Sequence, residues 1–416
     1  MNQQSAGFMN KYIVPPLTAL SENSYLSAIR AGMVAVVPLT IVGSVFIIIS
    51  YFPVGGWEKI IEPYRYLLDI PVNATFGLLG IFVCFSIGYD LGKQMKQEAV
   101  VSASMSTLIF LLIQFKPEDG TISMDNLGSK GLFTAILIAF IVVRVQKFFD
   151  DKNLVLRLPK NVPPIVYESF VSLTPLFFLL IAFWLIRYIF GIDINEFVQT
   201  IFKPVVFAFN TLPGILTYAF LVTLLWSVGI NGDNAMDAIA APIFLQYLTM
   251  NVTAMTQHQP LPYITAYGFF STFVNVGGTG ATIGLALIML NSKEPGFRKI
   301  SRVSLPTQIF QINEPIFFGF PIVLNPVFMV PYILNALFLT TGTYLLMYFD
   351  IINKPVINVP WTTPPILGHY LVSGGDWRAA AWGVISLLIA MAVYFPFAKI
   401  AERQRLKAEA AGTSHE

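Results

Sequence analysis

Apolar residues run along this chain in blocks of about membrane length, separated by short polar punctuation. Uncharged stretches cover residues 31–57, 99–115, 169–186, 204–232, 259–292 and 379–398, and blocks at 74–91 and 131–143 carry charge only near their ends. A helix needs about 20 apolar residues to cross the hydrocarbon of a bilayer. With a block at 327–349, these runs predict nine spans, and 235–257 supplies a tenth. The pattern is that of an all-α polytopic membrane protein of about ten transmembrane helices.

The longest apolar run holds a single charged side chain. Over the 47 residues from 303 to 349 that residue is Glu314, in the segment Gln311-Ile312-Asn313-Glu314-Pro315. An acid at membrane depth costs on the order of a few kcal/mol even after snorkelling and local hydration. Pro315, Gly319 and Pro321 interrupt a regular helix, so this backbone must be buried in protein or line a wet cavity. A costly acid beside broken backbone is the layout of a transport site. The bland alternative is an acid in a short loop at the membrane surface.

Composition agrees with the pattern: 55% hydrophobic residues, 12% charged residues and a mean hydropathy of +0.68 leave no room for a soluble globular fold. Net charge is +2, and no Lys/Arg-rich block resembles a nucleic-acid groove. The polar start Met1-Asn2-Gln3-Gln4 predicts no cleaved signal peptide. With the N-terminus inside and ten alternating spans, 17 basic residues fall on the cytoplasmic side and 8 outside. Both termini are therefore expected in the cytoplasm of a cell whose plasma membrane holds the chain.

The longest cytoplasmic connection, 146–168, carries Pro159, Pro163 and Pro164 and divides the chain into halves of about 1–165 and 166–416. The first half is richer in small residues (Ala99, Ser102, Ala103, Ser104, Ser106) that favour close helix packing. The second half holds the interruptions. Cys84, the sole cysteine, sits mid-span and reads as packing, while His258, His369 and His415 are far apart and suggest no metal site. No cofactor is implied, and the absence of a G-x-x-x-x-G-K-[ST] loop excludes ATP hydrolysis by the Walker route.

Four interruptions carry candidate chemistry: Trp226 to Asn234, Asn275 to Thr282, Asn313-Glu314-Pro315, and Pro360-Trp361-Thr362-Thr363-Pro364-Pro365. Together they offer amides, hydroxyls, one carboxylate and indoles. A sugar presents the complement, a rim of hydroxyls and apolar C–H faces. Glu314, Asn231, Asn313 and Thr279 are the candidate polar contacts, and Trp361 or Trp226 the ring platform. Each has a structural alternative: Gly277-Gly278 as helix contact, Trp361 as an interfacial anchor, Trp226 as packing, Asp233 and Asp237 as helix caps.

These four motifs, in this order, resemble enzyme IIC, the membrane component of the lactose/cellobiose family of the bacterial phosphoenolpyruvate-dependent sugar phosphotransferase system. The likeness extends over the whole chain, including Tyr25 to Arg30. It implies a homodimer formed through the N-terminal halves and one sugar site per protomer in the C-terminal half, closed by two re-entrant hairpins at about 231–258 and 303–325. It also implies a disaccharide substrate such as cellobiose, phosphorylated at its 6-hydroxyl by a separate enzyme IIB, itself served by enzyme IIA. Many relatives place a histidine where Asn231 stands. Asparagine hydrogen-bonds a sugar but cannot carry a proton near neutral pH, leaving Glu314 as the candidate base.

Two other classes are considered: an ion-coupled sugar symporter with Glu314 as proton or sodium ligand, and an intramembrane glycosyltransferase, for which the acids are too few. The topology is directly testable. Reporter fusions after Lys152 and at the C-terminus should both report a cytoplasmic location, and an external signal from either would refute the orientation.

Overall fold

The computed structural model describes residues 23–51, 56–122, 124–154, 171–320 and 322–412. Most of the proline-bearing connection, including Pro159, Pro163 and Pro164, lies outside the described residues, as does Pro321.

The regular structure of the described residues is helical, apart from one isolated bridge between Phe115 and Ile122. In the first half, α1 (Ser24–Ser50) is capped by Asn23, whose side chain accepts from the amides of Tyr25 and Leu26. There follow α2 (Arg65–Thr75), α3 (Leu79–Gln94), α4 (Ala99–Leu112) and α5 (Leu132–Asp151). The second half comprises α6 (Leu173–Trp184), α7 (Ile194–Phe209), α8 (Leu212–Ser227), α9 (Gly232–Thr256) and α10 (Ile283–Met289). It continues with α11 (Pro295–Gln308), α12 (Glu314–Gly319), α13 (Pro326–Tyr348), α14 (Pro365–Val372) and α15 (Trp377–Gly412).

Six described helices are long and apolar enough to cross a membrane: α1, the run Lys59–Gln94 that ends in α3, the run Ser129–Asp151 that ends in α5, α9, α13 and α15. The α6 segment and α7 meet at 86°, and α4 and α8 are shorter apolar helices. At the bend, Arg187 pairs with Asp193 at 3.0 Å, and Asp193 also caps α7.

Packing in the first half centres on α3, which is wrapped by α1, α4 and α5. Its glycines set the spacing. A Cβ added to Gly88 would stand 2.8 Å from Ser106 Oγ and 3.0 Å from Ala103 Cα, and one added to Gly92 would stand 2.7 Å from Ser102. The small side chains of α4 are thus engaged by a neighbouring helix of the same chain. Ser102, Ala103 and Ser106 are buried, and Ser102 donates to Gln146 of α5 at 2.7 Å. The close packing expected of these three residues is thus made within the chain.

In the second half α13 packs between α8 and α15, and α15 also supports α10 and α14. The halves meet where α9 lies on α1 and where Asn358 donates from its side chain to Thr40 Oγ1 at 2.7 Å and from its backbone N–H to Ser44 Oγ at 2.9 Å. One continuous apolar core crosses both halves, and a second cluster gathers Phe297, Phe317, Phe320, Phe328, Tyr332 and Tyr394.

One expectation is corrected here. The segment 231–258 is not a hairpin: α9 is a single unbroken helix of 25 residues, about 38 Å long at 1.5 Å per residue. Its turn lies before it, at Gly229 to Asn231. Of its membrane-length window 72% is buried, against 28–50% in the other five long helices. Its polar Asp237, Gln246 and Asn251 therefore face protein rather than lipid, which is why the apolar signal is weak there.

The tight α3–α4 seam predicts that Gly88→Leu lowers the melting temperature of the detergent-solubilised protein. A loss of about 1–3 kcal/mol is expected from overpacking; an unchanged melting temperature would contradict this packing.

Candidate functional site

The site is assembled from three backbone interruptions that converge. The first follows α8. Gly229, at a φ of +89°, turns the chain, and Gly229 N donates to Trp226 O at 2.8 Å. Asn231 then caps α9, its Oδ1 accepting from Asn234 N at 2.9 Å. One hydrogen-bonding atom of Asn231 is thereby engaged by its own helix; the residue is otherwise exposed.

Asp233, in the first turn of α9, is the hub. Its Oδ2 accepts from Trp226 Nε1 at 2.8 Å and from Thr279 Oγ1 at 2.6 Å, and its Oδ1 from Asn275 Nδ2 at 3.4 Å. A single carboxylate thus joins α8, α9 and the loop 275–282. Asp233 is thus not the helix cap that its position suggests, because Asn231 makes the cap. The available signal was an acid in a mostly buried helix, one turn from a second acid. That second acid, Asp237, accepts from the Tyr218 hydroxyl at 3.4 Å and lines a cavity of about 50 Å³ with Arg30, Asn234 and Tyr267.

The second interruption is the loop 275–282. Gly277, Gly278 and Gly280 all have positive φ, and a Cβ at Gly278 would stand 2.5 Å from the Asn313 side chain. Glycine is required there for the approach of a second loop. That loop is 309–313, the third interruption. Gln311 Oε1 accepts from both Gly277 N (2.7 Å) and Gly278 N (3.0 Å), while Asn313 Nδ2 donates to Thr279 O (2.9 Å) and Thr282 Oγ1 (3.1 Å). Gln308 Nε2 adds a bond to Thr282 Oγ1 at 2.9 Å, and Tyr394 of α15 donates to Gly280 O at 2.9 Å.

A hydrogen-bonded path therefore runs from Trp226 through Asp233 and Thr279 to Asn313, the residue before Glu314. Thr279 and Asn313 are buried, at 7% exposure each, with polar groups turned to this scaffold. Glu314 differs. It opens the six-residue α12, is exposed, and its carboxylate has no hydrogen-bond or ion-pair partner among the described residues. A carboxylate in a first helical turn is favoured by the helix dipole. Trp226 packs its ring edge-on against Phe317 of α12 at 5.1 Å. Trp361 is joined to these residues by no hydrogen bond or ring contact; it stands 58% exposed ahead of α14. Among the described residues no three His, Cys, Asp or Glu side chains gather where a metal could be held.

Chemically, the arrangement is a cross-linked pair of loops beside one exposed, unpaired carboxylate, set in an apolar helical bundle. That is the construction of a membrane transport protein. Comparison with known proteins gives the family. The model of "Phosphotransferase system, EIIC" matches residues 30–336. The chain is 32% identical to the lichenan permease IIC component of Bacillus subtilis, and 32% identical to the cellobiose-specific EIIC component of Geobacillus stearothermophilus. Each alignment covers 96% of this chain and 94% of the relative. A crystal structure of the transporter ChbC, the IIC component of the N,N'-diacetylchitobiose-specific phosphotransferase system, superposes with a TM-score of 0.92 at 32% identity, covering 97% of this chain and 99% of that one. The chain belongs to the EIIC family and is a sugar permease of the phosphotransferase system, which sets aside the ion-symporter alternative.

The two-loop scaffold predicts the effect of Gln311→Ala. It strands two buried backbone N–H groups, each costing about 1–3 kcal/mol. Melting temperature and sugar affinity should fall together; a variant that lost neither would show that Gln311 does not hold the loops.

Proposed function

We propose that this permease carries a β-linked disaccharide of the cellobiose kind inward and presents its 6-hydroxyl to a separate phosphorylated enzyme IIB. The observation that carries the reading is the exposed, unpaired Glu314 carboxylate, set beside a loop pair that Gln311, Asn313 and Asp233 hold together. Such a carboxylate accepts hydrogen bonds from sugar hydroxyls, and a binding surface with its own bonds satisfied loses little on docking a ligand. The relatives named for cellobiose, lichenan and N,N'-diacetylchitobiose all handle β-linked hexose units, which favours that linkage.

Asn231 supplies its remaining amide N–H groups opposite Glu314, Asn313 and Thr279 shape the polar rim, and Trp361 or Trp226 covers a ring face. In the transfer, the S–P bond of a IIB phosphocysteine breaks, a P–O bond to the sugar 6-oxygen forms, and the hydroxyl proton passes to a base, for which Glu314 is the candidate. The cysteine is the partner's: Cys84, the sole cysteine here, is buried within α3.

For the architecture, ten spans follow if the bent α6–α7 pair counts once and the segment 259–290, ending in α10, counts as one. Both termini are then cytoplasmic. The helix–turn–helix of α11 and α12 is the re-entrant element, and residues 1–165 and 166–416 form the dimerising and sugar-binding halves. A dimer would use faces of the first half other than the buried α4 seam.

Binding of cellobiose and a panel of α- and β-linked disaccharides to purified protein tests the site. Glu314→Gln should weaken binding ten- to hundredfold, since a hydrogen bond to a charged group is worth about 1.5–3 kcal/mol and about 1.4 kcal/mol is a factor of ten. Asn231→Asp should leave melting unchanged, because aspartate also caps, yet weaken binding by removing the amide donor. Unchanged affinity and transport in Glu314→Gln would sink the assignment.

A further inference from the structure

A second surface lies at the opposite end of α12 from Glu314. There α11, α13 and the last turns of α15 enclose a groove of about 370 Å³, lined by Glu294, Gly319, Asn325, Phe328, Gln404 and Arg405. We propose that this groove and its basic rim are the docking surface for the phosphorylated IIB protein. The inference rests on the permease reading above.

Charge is the first ground. Arg405 lines the groove, and Lys293, Lys299, Arg302, Arg403 and Lys407 are exposed on the segments that build it. Glu294 and Glu402, the acids of this region whose side chains are described, are buried at 4% each. Glu294 caps α11 through the amides of Gly296 and Phe297. Glu402 accepts from Ser292 Oγ at 2.7 Å, Lys293 N at 2.5 Å and Lys399 Nζ at 2.8 Å. The exposed rim is therefore positive, which suits a partner bearing a doubly charged phosphoryl group.

Reach separates a protein partner from a lipid headgroup. The 36 residues of α15 span about 54 Å, against about 30 Å of hydrocarbon. The uncharged run of this helix ends at Ala398, so Arg405 stands about 10 Å further along the axis, where a soluble domain meets it more readily than a headgroup does. Rigidity is the third ground. Glu402 clasps the α10–α11 turn to α15, so the surface is built before a partner arrives, which limits the ordering cost of association. Position is the fourth. Gly319, in the groove wall, closes the same short helix that Glu314 opens; six residues of helix span only about 9 Å. A donor seated here is brought close to the sugar.

The test is sugar phosphorylation by the purified permease in nanodiscs of neutral lipid, titrated with a phosphorylated IIB protein that the wild-type permease accepts. Arg405→Glu and the double variant Arg403→Glu/Arg405→Glu should raise KM for phospho-IIB about tenfold or more while leaving kcat and sugar affinity unchanged. Arg405→Lys should restore most of the loss, and the salt dependence of KM should flatten in the reversed variants. An unchanged KM with intact sugar binding would overturn the docking surface while leaving the permease reading in place. So would an effect of these variants that appears only when anionic lipid is added, since the groove would then be a headgroup site. Failure of the wild-type protein to support phosphorylation with any IIB of this family would instead overturn the permease reading itself.

Discussion

Every backbone N–H and C=O in a hydrocarbon environment needs a partner within the protein, and the second half of this chain is organised by that demand. Its loops at 275–282 and 309–313 carry left-handed residues that a helix cannot accommodate. Three side chains complete what the backbone leaves open: Gln311 accepts from Gly277 and Gly278, Asn313 donates across to Thr279 and Thr282, and Asp233 gathers Trp226, Thr279 and Asn275. Without them each loop would present unpaired polar groups at several kcal/mol apiece.

Such a scaffold separates structural from functional polarity. Gln311, Asn313 and Asp233 spend their polar groups tying the loops together, whereas Glu314 at the start of α12 and the outer side of Asn231 are exposed. A site of this form is ordered before sugar arrives, so binding energy is spent on recognition rather than on arranging loops. The short length of α12 also couples the two ends of the element: the carboxylate at one end, the walls of the basic groove at the other.

Much of the membrane class and of the candidate site was legible in the chain because a polar residue amid apolar ones is conspicuous. Glu314 stood out in this way, and so did Asn313, Thr279 and Trp226, which a hydrogen-bonded path now connects. Asp233 did not, because an acid in the first turn of a helix is commonplace and its three partners lie up to 46 positions away. Ser102, Ala103 and Ser106 of α4 do pack closely, but their partners, Gly88 and Gly92 of α3, are ones no local pattern names.

The sequence by itself determined the solvent of this protein, the approximate place of its apolar helices, and the positions where backbone regularity fails, since all of these follow from local composition and from the conformational limits of glycine and proline. Only the tertiary structure decided which broken segments meet and whether a polar helix is a hairpin or a buried rod. Segment 231–258 became one continuous helix because its polar face lies against protein. Glu314 became the free carboxylate, and Asp233 the bound one, because hydrogen bonds between loops depend on distances in space that no local pattern encodes.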